Sequence, residues 1–170
     1  DPLVTDAQGR YAIDMALQAD QDGIAHTLLV YASPDSTSRL DNYLHQAILS
    51  GATASTGWLL ASSASTDAPD RAGRAPLWYA AKHCDDDLAR QLIRRGARLD
   101  RVDEKGQNPL HIAARENCPS VTGLLLDNSA AIDARTALGN TPLLLAATHG
   151  ATRSALLLAH RGADTRLSNA

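Results

Sequence analysis

Phenylalanine is absent from this 170-residue chain, and aromatic residues make up only 4% of it. A core must therefore be assembled from Ala, Leu, Ile and Val, whose small side chains suit thin layers packed at close spacing. Cysteine is scarce as well. Cys84 and Cys118 are the only two, which excludes a multi-bridge disulfide framework; with no C-x-x-C spacing they fit a reducing compartment, intracellular and cytoplasmic. Lysine occurs twice against 14 arginines, the net charge is -3, and no basic run could track a phosphate backbone, so nucleic acid is not an expected partner. Long apolar runs are missing too. "PLLLAA" (142–147) and "ALLLA" (155–159) fall far short of the ~20 residues that a bilayer-spanning helix needs, and direct membrane insertion is not expected. The chain begins at Asp1 rather than Met and is read as a piece excised from a longer protein.

What is present is an ordinary globular mix, 44% hydrophobic and 21% charged, organised by an internal repeat. "GRAPLWYAA" (73–81), "GQNPLHIAA" (106–114) and "GNTPLLLAA" (139–147) start 33 residues apart. Their second halves keep step: "LIRRGARLD" (92–100), "LLDNSAAID" (125–133) and "LAHRGADTR" (158–166). The same grid extended backwards catches "YLHQAILSG" (43–51) and "WLLASSAST" (58–66). "GRYAIDMAL" (9–17) with "AHTLLVYAS" (25–33) follows if two residues are dropped.

These segments resemble the ankyrin repeat family, whose unit of about 33 residues carries a G-x-T-P-L-H-x-A-A signature, an apolar pair and G-A-D. Five units are laid out at residues 6–36, 37–69, 70–102, 103–135 and 136–168, three clear and two degenerate. The resemblance implies an all-α solenoid of stacked helix-turn-helix units with hairpin-like fingers, forming one domain over 1–170. Two short helices cannot bury their apolar face alone, so each unit must stack on its neighbours. Neither end carries a convincing polar cap, so a longer array or a covering partner is expected.

The residues give physical reasons for this layout. Proline suits a helix start, where its missing N–H has no partner to lose; Pro76, Pro109 and Pro142 mark such starts. Alanine pairs at 80–81, 113–114 and 146–147 allow close helix approach, and Leu77, Leu110 and Leu143 fill the space between units. Gly51, Gly150 and Asn117 sit where a left-handed cap is expected, and Cys84 in that slot is a departure. Asp85-Asp86-Asp87 is placed to cap the next helix. Gly96 and Gly162 end the second helices, with Ser129 and Ser63 as less apt substitutes. "SPDSTSRLDN" (33–42) lacks the finger glycine, so an irregular finger is expected there.

Candidate chemistry is sparse. His45 and His111 occupy a slot held by Trp78 and Leu144 in sister units, which no shared catalytic duty would permit, so they are read as structural. His83, Cys84 and Cys118 fall near one another but lack a fourth ligand. Arg90, Arg94, Arg95, Arg98 and Arg101 are read as a solvated outer face. Tyr79 and Trp58 are assigned to the core. No nucleophile elbow, phosphate loop or carboxylate pair is found, so neither an enzyme nor a cofactor is expected. The family resemblance implies recognition of another protein or peptide through variable positions of the fingers and the inner face of the first helices. Here those are Arg71, Arg74, Trp78, Lys82 and His83, then Glu104, Lys105, Gln107, Arg115 and Glu116, then Ala137, Leu138, Asn140, Thr148 and His149. Two worn units followed by regular ones are also similar to the arrays of endosomal ankyrin proteins with a FYVE zinc domain. That alternative makes the chain a regulatory or targeting arm of a larger enzyme or membrane-trafficking scaffold.

Overall fold

The computed structural model describes residues 7, 11–19, 21–32, 37–62 and 64–169. Within them the chain is all-α, with ten helices in five consecutive pairs: α1 (Ala12–Gln18) and α2 (Asp22–Ala32), α3 (Thr37–Ser50) and α4 (Thr53–Ala61), α5 (Pro76–His83) and α6 (Asp86–Arg94), α7 (Pro109–Arg115) and α8 (Pro119–Asp127), α9 (Pro142–Thr148) and α10 (Thr152–His160). The chain divides into two compact units, residues 1–68 and 69–170.

In residues 69–170, α5 packs on α7 and α7 on α9, while α6 packs on α8 and α8 on α10, so each pair is stacked on a translated copy of itself. The small-plus-large recipe is visible in the burial. Leu77, Leu110, Ala80, Ala81, Ala113 and Ala114 are fully enclosed, and the outer row is closed by Leu88, Leu92, Val121, Leu125 and Leu158. Tyr79 is buried as expected. Arg90, Arg94, Arg95, Arg98 and Arg101 are all exposed, a charged face over an apolar interior.

The helix boundaries follow local chemistry. Pro76, Pro109 and Pro142 each sit in the first turn after an extended N-cap residue. The Asn108 side chain accepts from the His111 N–H, and the Thr141 side chain accepts from the Leu144 N–H. Asp85 caps α6 by accepting from the Leu88 N–H at 2.9 Å. After the first helix of each of the last four pairs the chain turns through a left-handed residue: Gly51, Cys84, Asn117 and Gly150 have φ of 72°, 55°, 59° and 68°. Ser129, after α8, does the same at φ 69°; Ser63, the other substitute, lies outside the described residues.

Among the described residues of 1–68 the pairing is kept, while the stretch leading to Leu44 is helix rather than finger. Here α1 packs on α3 and α2 on α4. The segment 37–42, expected to be irregular, is helical, because α3 starts at Thr37 and runs unbroken to Ser50. Leu40 and Tyr43 stand where later units have glycine and proline, so nothing stops the helix from starting early. Residues 33–36 of that segment lie outside the described residues. The α2–α4 seam is held by Asp22, whose carboxylate accepts from Ala54 N–H at 2.8 Å and Ser55 N–H at 2.9 Å in the first turn of α4. Burial opposes charge on Asp22, but these bonds and the Ser55 hydroxyl outweigh it and lower its pKa.

Candidate functional site

The fingers of 69–170 are built on one local device repeated at the 33-residue interval. Asp70, Asp103 and Thr136 each open a turn in which their N–H bonds to the carbonyl of the fourth residue on, Arg74, Gln107 and Asn140, at 3.0 Å in each case. Their side chains accept the returning N–H: Asp70 Oδ1 from Arg74 N, Asp103 Oδ1 from Gln107 N, and Thr136 Oγ1 from Asn140 N. Gly73, Gly106 and Gly139 supply the positive φ before each return. Adjacent fingers then join through Glu104 N–H to the Ala72 carbonyl at 3.1 Å and Ala137 N–H to the Lys105 carbonyl at 3.4 Å.

In two units the residue after the signature leucine ties its helix to the next finger. His111 Nε2 lies 3.0 Å from the Ala134 carbonyl and 3.1 Å from that of Asn140, donating to both. The ring is 1% exposed. Burial lowers its pKa, and the two carbonyl contacts oppose this only in part, so the imidazole is neutral near pH 7. Trp78 does the same work with different atoms, its indole N–H donating to Asp103 Oδ2 at 3.1 Å. His45, the earlier histidine in this slot, places Nδ1 2.9 Å from the Asp41 carbonyl.

Six of the sequence-chosen residues, Arg74, Trp78, Glu104, Lys105, Gln107 and Arg115, come together with Ala72 and Asp103 around one cavity of about 220 Å³. Its walls are largely self-paired. The Arg74 guanidinium lies 5.3 Å from the Trp78 ring centre and 5.1 Å from that of Tyr79, and is paired to Asp70 at 2.7 Å. Burial opposes charge on Asp70, yet bonds from the Tyr79 hydroxyl, the Arg74 side chain and two backbone N–H groups bring its carboxyl down to about 2. Arg115 donates to Gln107 Oε1 at 3.0 Å and to Glu116 Oε1 at 2.8 Å, and Lys82 meets the same Glu116 oxygen at 2.7 Å. Burial again works against the Glu116 charge and is outweighed by Lys82 and Arg115, which lower its pKa.

Not every chosen residue offers surface. Trp78 was counted among the variable positions open to a partner, but only 8% of it remains exposed because Arg74 covers its face and Asp103 fixes its edge. Gln107 is likewise enclosed, at 9%. Glu104 and Lys105 are exposed, and among the described residues their side chains form no ion pair. Arg71 and His83 are exposed outside the cavity. Ala137, Leu138 and Asn140 on the next finger, Thr148 in α9 and His149 just after it do not line the cavity; Leu138 is 72% exposed. Sequence reasoning missed Asp70 and Asp103, although a D-x-x-G at 70–73 and 103–106, one period apart, carried the signal.

The cysteines depart from expectation. Cys84 and Cys118 form a disulfide, with Cα atoms 5.2 Å apart, a pairing that the sequence reading did not assign. Among the described residues no three His, Cys, Asp or Glu side chains gather as a metal site would require. No helix among them is long and apolar enough to cross a membrane. The family model described as ankyrin repeats (3 copies) matches residues 44–136 and, one period later, 77–169. No curated protein sequence matches the chain.

Proposed function

Because the chain belongs to the ankyrin repeat family, whose members generally mediate protein–protein interaction, we propose that it is a non-catalytic recognition module for a protein or peptide segment, acting through residues 69–170. The observation that carries this is the convergence of Arg74, Trp78, Glu104, Lys105, Gln107 and Arg115 on one cavity. A volume of about 220 Å³ suits a single side chain of an extended partner rather than a small-molecule substrate, whose pockets run from roughly 300 Å³ upward. Trp78 and Arg74 form a rigid wall, their positions fixed before any partner arrives, and preorganisation reduces the ordering cost of binding. Glu104 and Lys105 on the finger tip provide the adaptable polar rim.

The test should spare the internal pairs. Reversing Arg74 or Arg115 would leave Asp70 or Glu116 facing a like charge and damage the scaffold, so Glu104→Lys with Lys105→Glu is the cleaner variant. Their backbone bonds to Ala72 and Asp103 survive the exchange. Proximity labelling with the intact protein should lose its enriched proteins by at least tenfold, with the helical circular dichroism unchanged. Undiminished labelling of the same proteins would move recognition elsewhere.

A further inference from the structure

The two cysteines occupy facing slots of adjacent units, and neither slot explains a cysteine by itself. Cys84 stands in the left-handed position, φ 55°, that Gly51, Asn117 and Gly150 hold elsewhere; a residue with a Cβ is disfavoured there, and Gly or Asn is the usual choice. Cys118 stands where Ala52 and Ala151 are buried in sister units, and is itself 2% exposed. The substitutions occur together, in the one pair of neighbours where they face each other across the seam between α5–α6 and α7–α8. Their sequence separation of 34 is one period plus one residue, the offset from a left-handed cap to the first helix-capping slot of the next unit's second helix. A Cα separation of 5.2 Å is within the range a disulfide spans.

The two cysteines differ in exposure. Cys84 is exposed and Cys118 is enclosed, with its Sγ 3.4 Å from the Ala81 carbonyl oxygen. We infer that the Cys84–Cys118 bond is a reversible latch across this seam, opened by a dithiol reductant through Cys84. A reductant thiolate attacks the Cys84 sulfur and forms a mixed disulfide; the Sγ–Sγ bond breaks and its electron pair leaves on the Cys118 sulfur, which takes a proton. The reductant's second thiol then attacks its own bound sulfur, closes a cyclic disulfide and releases Cys84, which is protonated in turn. Two electrons and two protons pass to the protein. The Cys118 thiol stays buried and donates to the Ala81 carbonyl. The seam keeps its apolar contacts, the Lys82–Glu116 pair and the Trp78–Asp103 bond, so opening loosens the two helix pairs without separating them. This inference stands on the seam alone and does not depend on what the cavity binds.

The test uses the oxidised full chain. Thiol titration under denaturing conditions should find no free thiol before reductant and two after dithiothreitol. Short iodoacetamide pulses on the reduced native protein, read by peptide mass spectrometry, should label Cys84 at least tenfold faster than Cys118. Amide hydrogen exchange should quicken at least tenfold in residues 80–89 and 113–122 on reduction, while 152–160 changes less than twofold. Cys84→Gly with Cys118→Ala restores the residues of sister units and should exchange like the reduced chain with or without dithiothreitol. Free thiols in the oxidised chain, equal alkylation rates, identical exchange in both redox states, or a dithiothreitol response that persists in the double variant would each overturn the latch.

Discussion

In residues 69–170 every first helix starts at a proline, after a turn that folds the preceding residues into a finger. In residues 1–68 the corresponding stretch is the opening of α3, fourteen residues without a break. The apolar interval is the same in both regions, since Leu44, Leu77 and Leu110 are all fully enclosed at 33-residue spacing. The stacking period therefore resides in the apolar positions, and the fingers reside in a separate set of turn residues that can be lost without losing the helix pair. In both regions a side chain bonds the first turn of the next unit's second helix, Asp22 for α4 and Asn117 for α10.

The largest expected effect tests this separation directly. Tyr43 occupies the slot of Pro76, Pro109 and Pro142, so Tyr43→Pro moves the sequence toward the repeat signature. By resemblance alone it should be harmless. In α3, however, position 43 is interior, and proline there removes an N–H and crowds the Arg39 carbonyl, costing about 3 kcal/mol or more. It also deletes a phenol ring that is 2% exposed and whose ionisation burial, reinforced by Asp14, pushes up to about 12. Urea unfolding followed by circular dichroism should show a clear loss of stability in residues 1–68. An unchanged midpoint would mean that α3 does not run through this position.

Glycine offers a sharper contrast within 69–170. A Cβ at Gly106 would lie 2.7 Å from the Ala137 backbone nitrogen, whereas one at Gly96 meets nothing within 4 Å. Both have positive φ, 72° and 85°, so alanine at either costs roughly 1 kcal/mol in strain, its Cβ crowding the backbone in the left-handed conformation. Only Gly106→Ala must also push two fingers apart, and about 2–3 kcal/mol is expected against about 1 for Gly96→Ala. Equal midpoints for the two variants would show that the fingers are not in backbone contact.

How much of this was legible follows from the range of each signal. Prolines, alanine pairs and left-handed caps act within a few residues, so α5, α7 and α9 and the caps at Gly51, Asn117 and Gly150 could be placed from sequence. Trp78 in a histidine slot could be seen, but that its indole N–H would replace the His111 finger bond depends on Asp103, twenty-five residues away. The nearness of Cys84 and Cys118 was legible from the repeat, but it was weighed only as a metal site short of a fourth ligand, and a bond between the two sulfurs was not considered. The early start of α3 was missed because the absence of the finger glycine was taken as irregularity, although the same absence permits a helix.

The smallest effect concerns the finger base, where Asp70 and its period-mate Asp103 do the same backbone work with different side-chain partners. Asp70 is held down to about 2 against an ordinary value of 3.8. A carboxyl whose folded pKa is depressed stabilises the fold above the unfolded value and loses that contribution as pH falls through the folded one. For Asp70 the loss runs from about pH 4 to about pH 2 and amounts to roughly 2 kcal/mol. Asp70→Asn keeps an oxygen that can accept from the Arg74 N–H but gives up the charge that Arg74 and Tyr79 address. Its expected cost near neutral pH is about 1–2 kcal/mol, with a flatter stability profile between pH 4 and pH 2 than the parent. Asp103→Asn should leave the steep profile between pH 4 and pH 2 in place, because the charge that Arg74 and Tyr79 address is still on Asp70. If both variants flatten the profile equally, the acid sensitivity belongs to the shared turn geometry, and the ring-and-guanidinium cluster around Asp70 contributes nothing of its own.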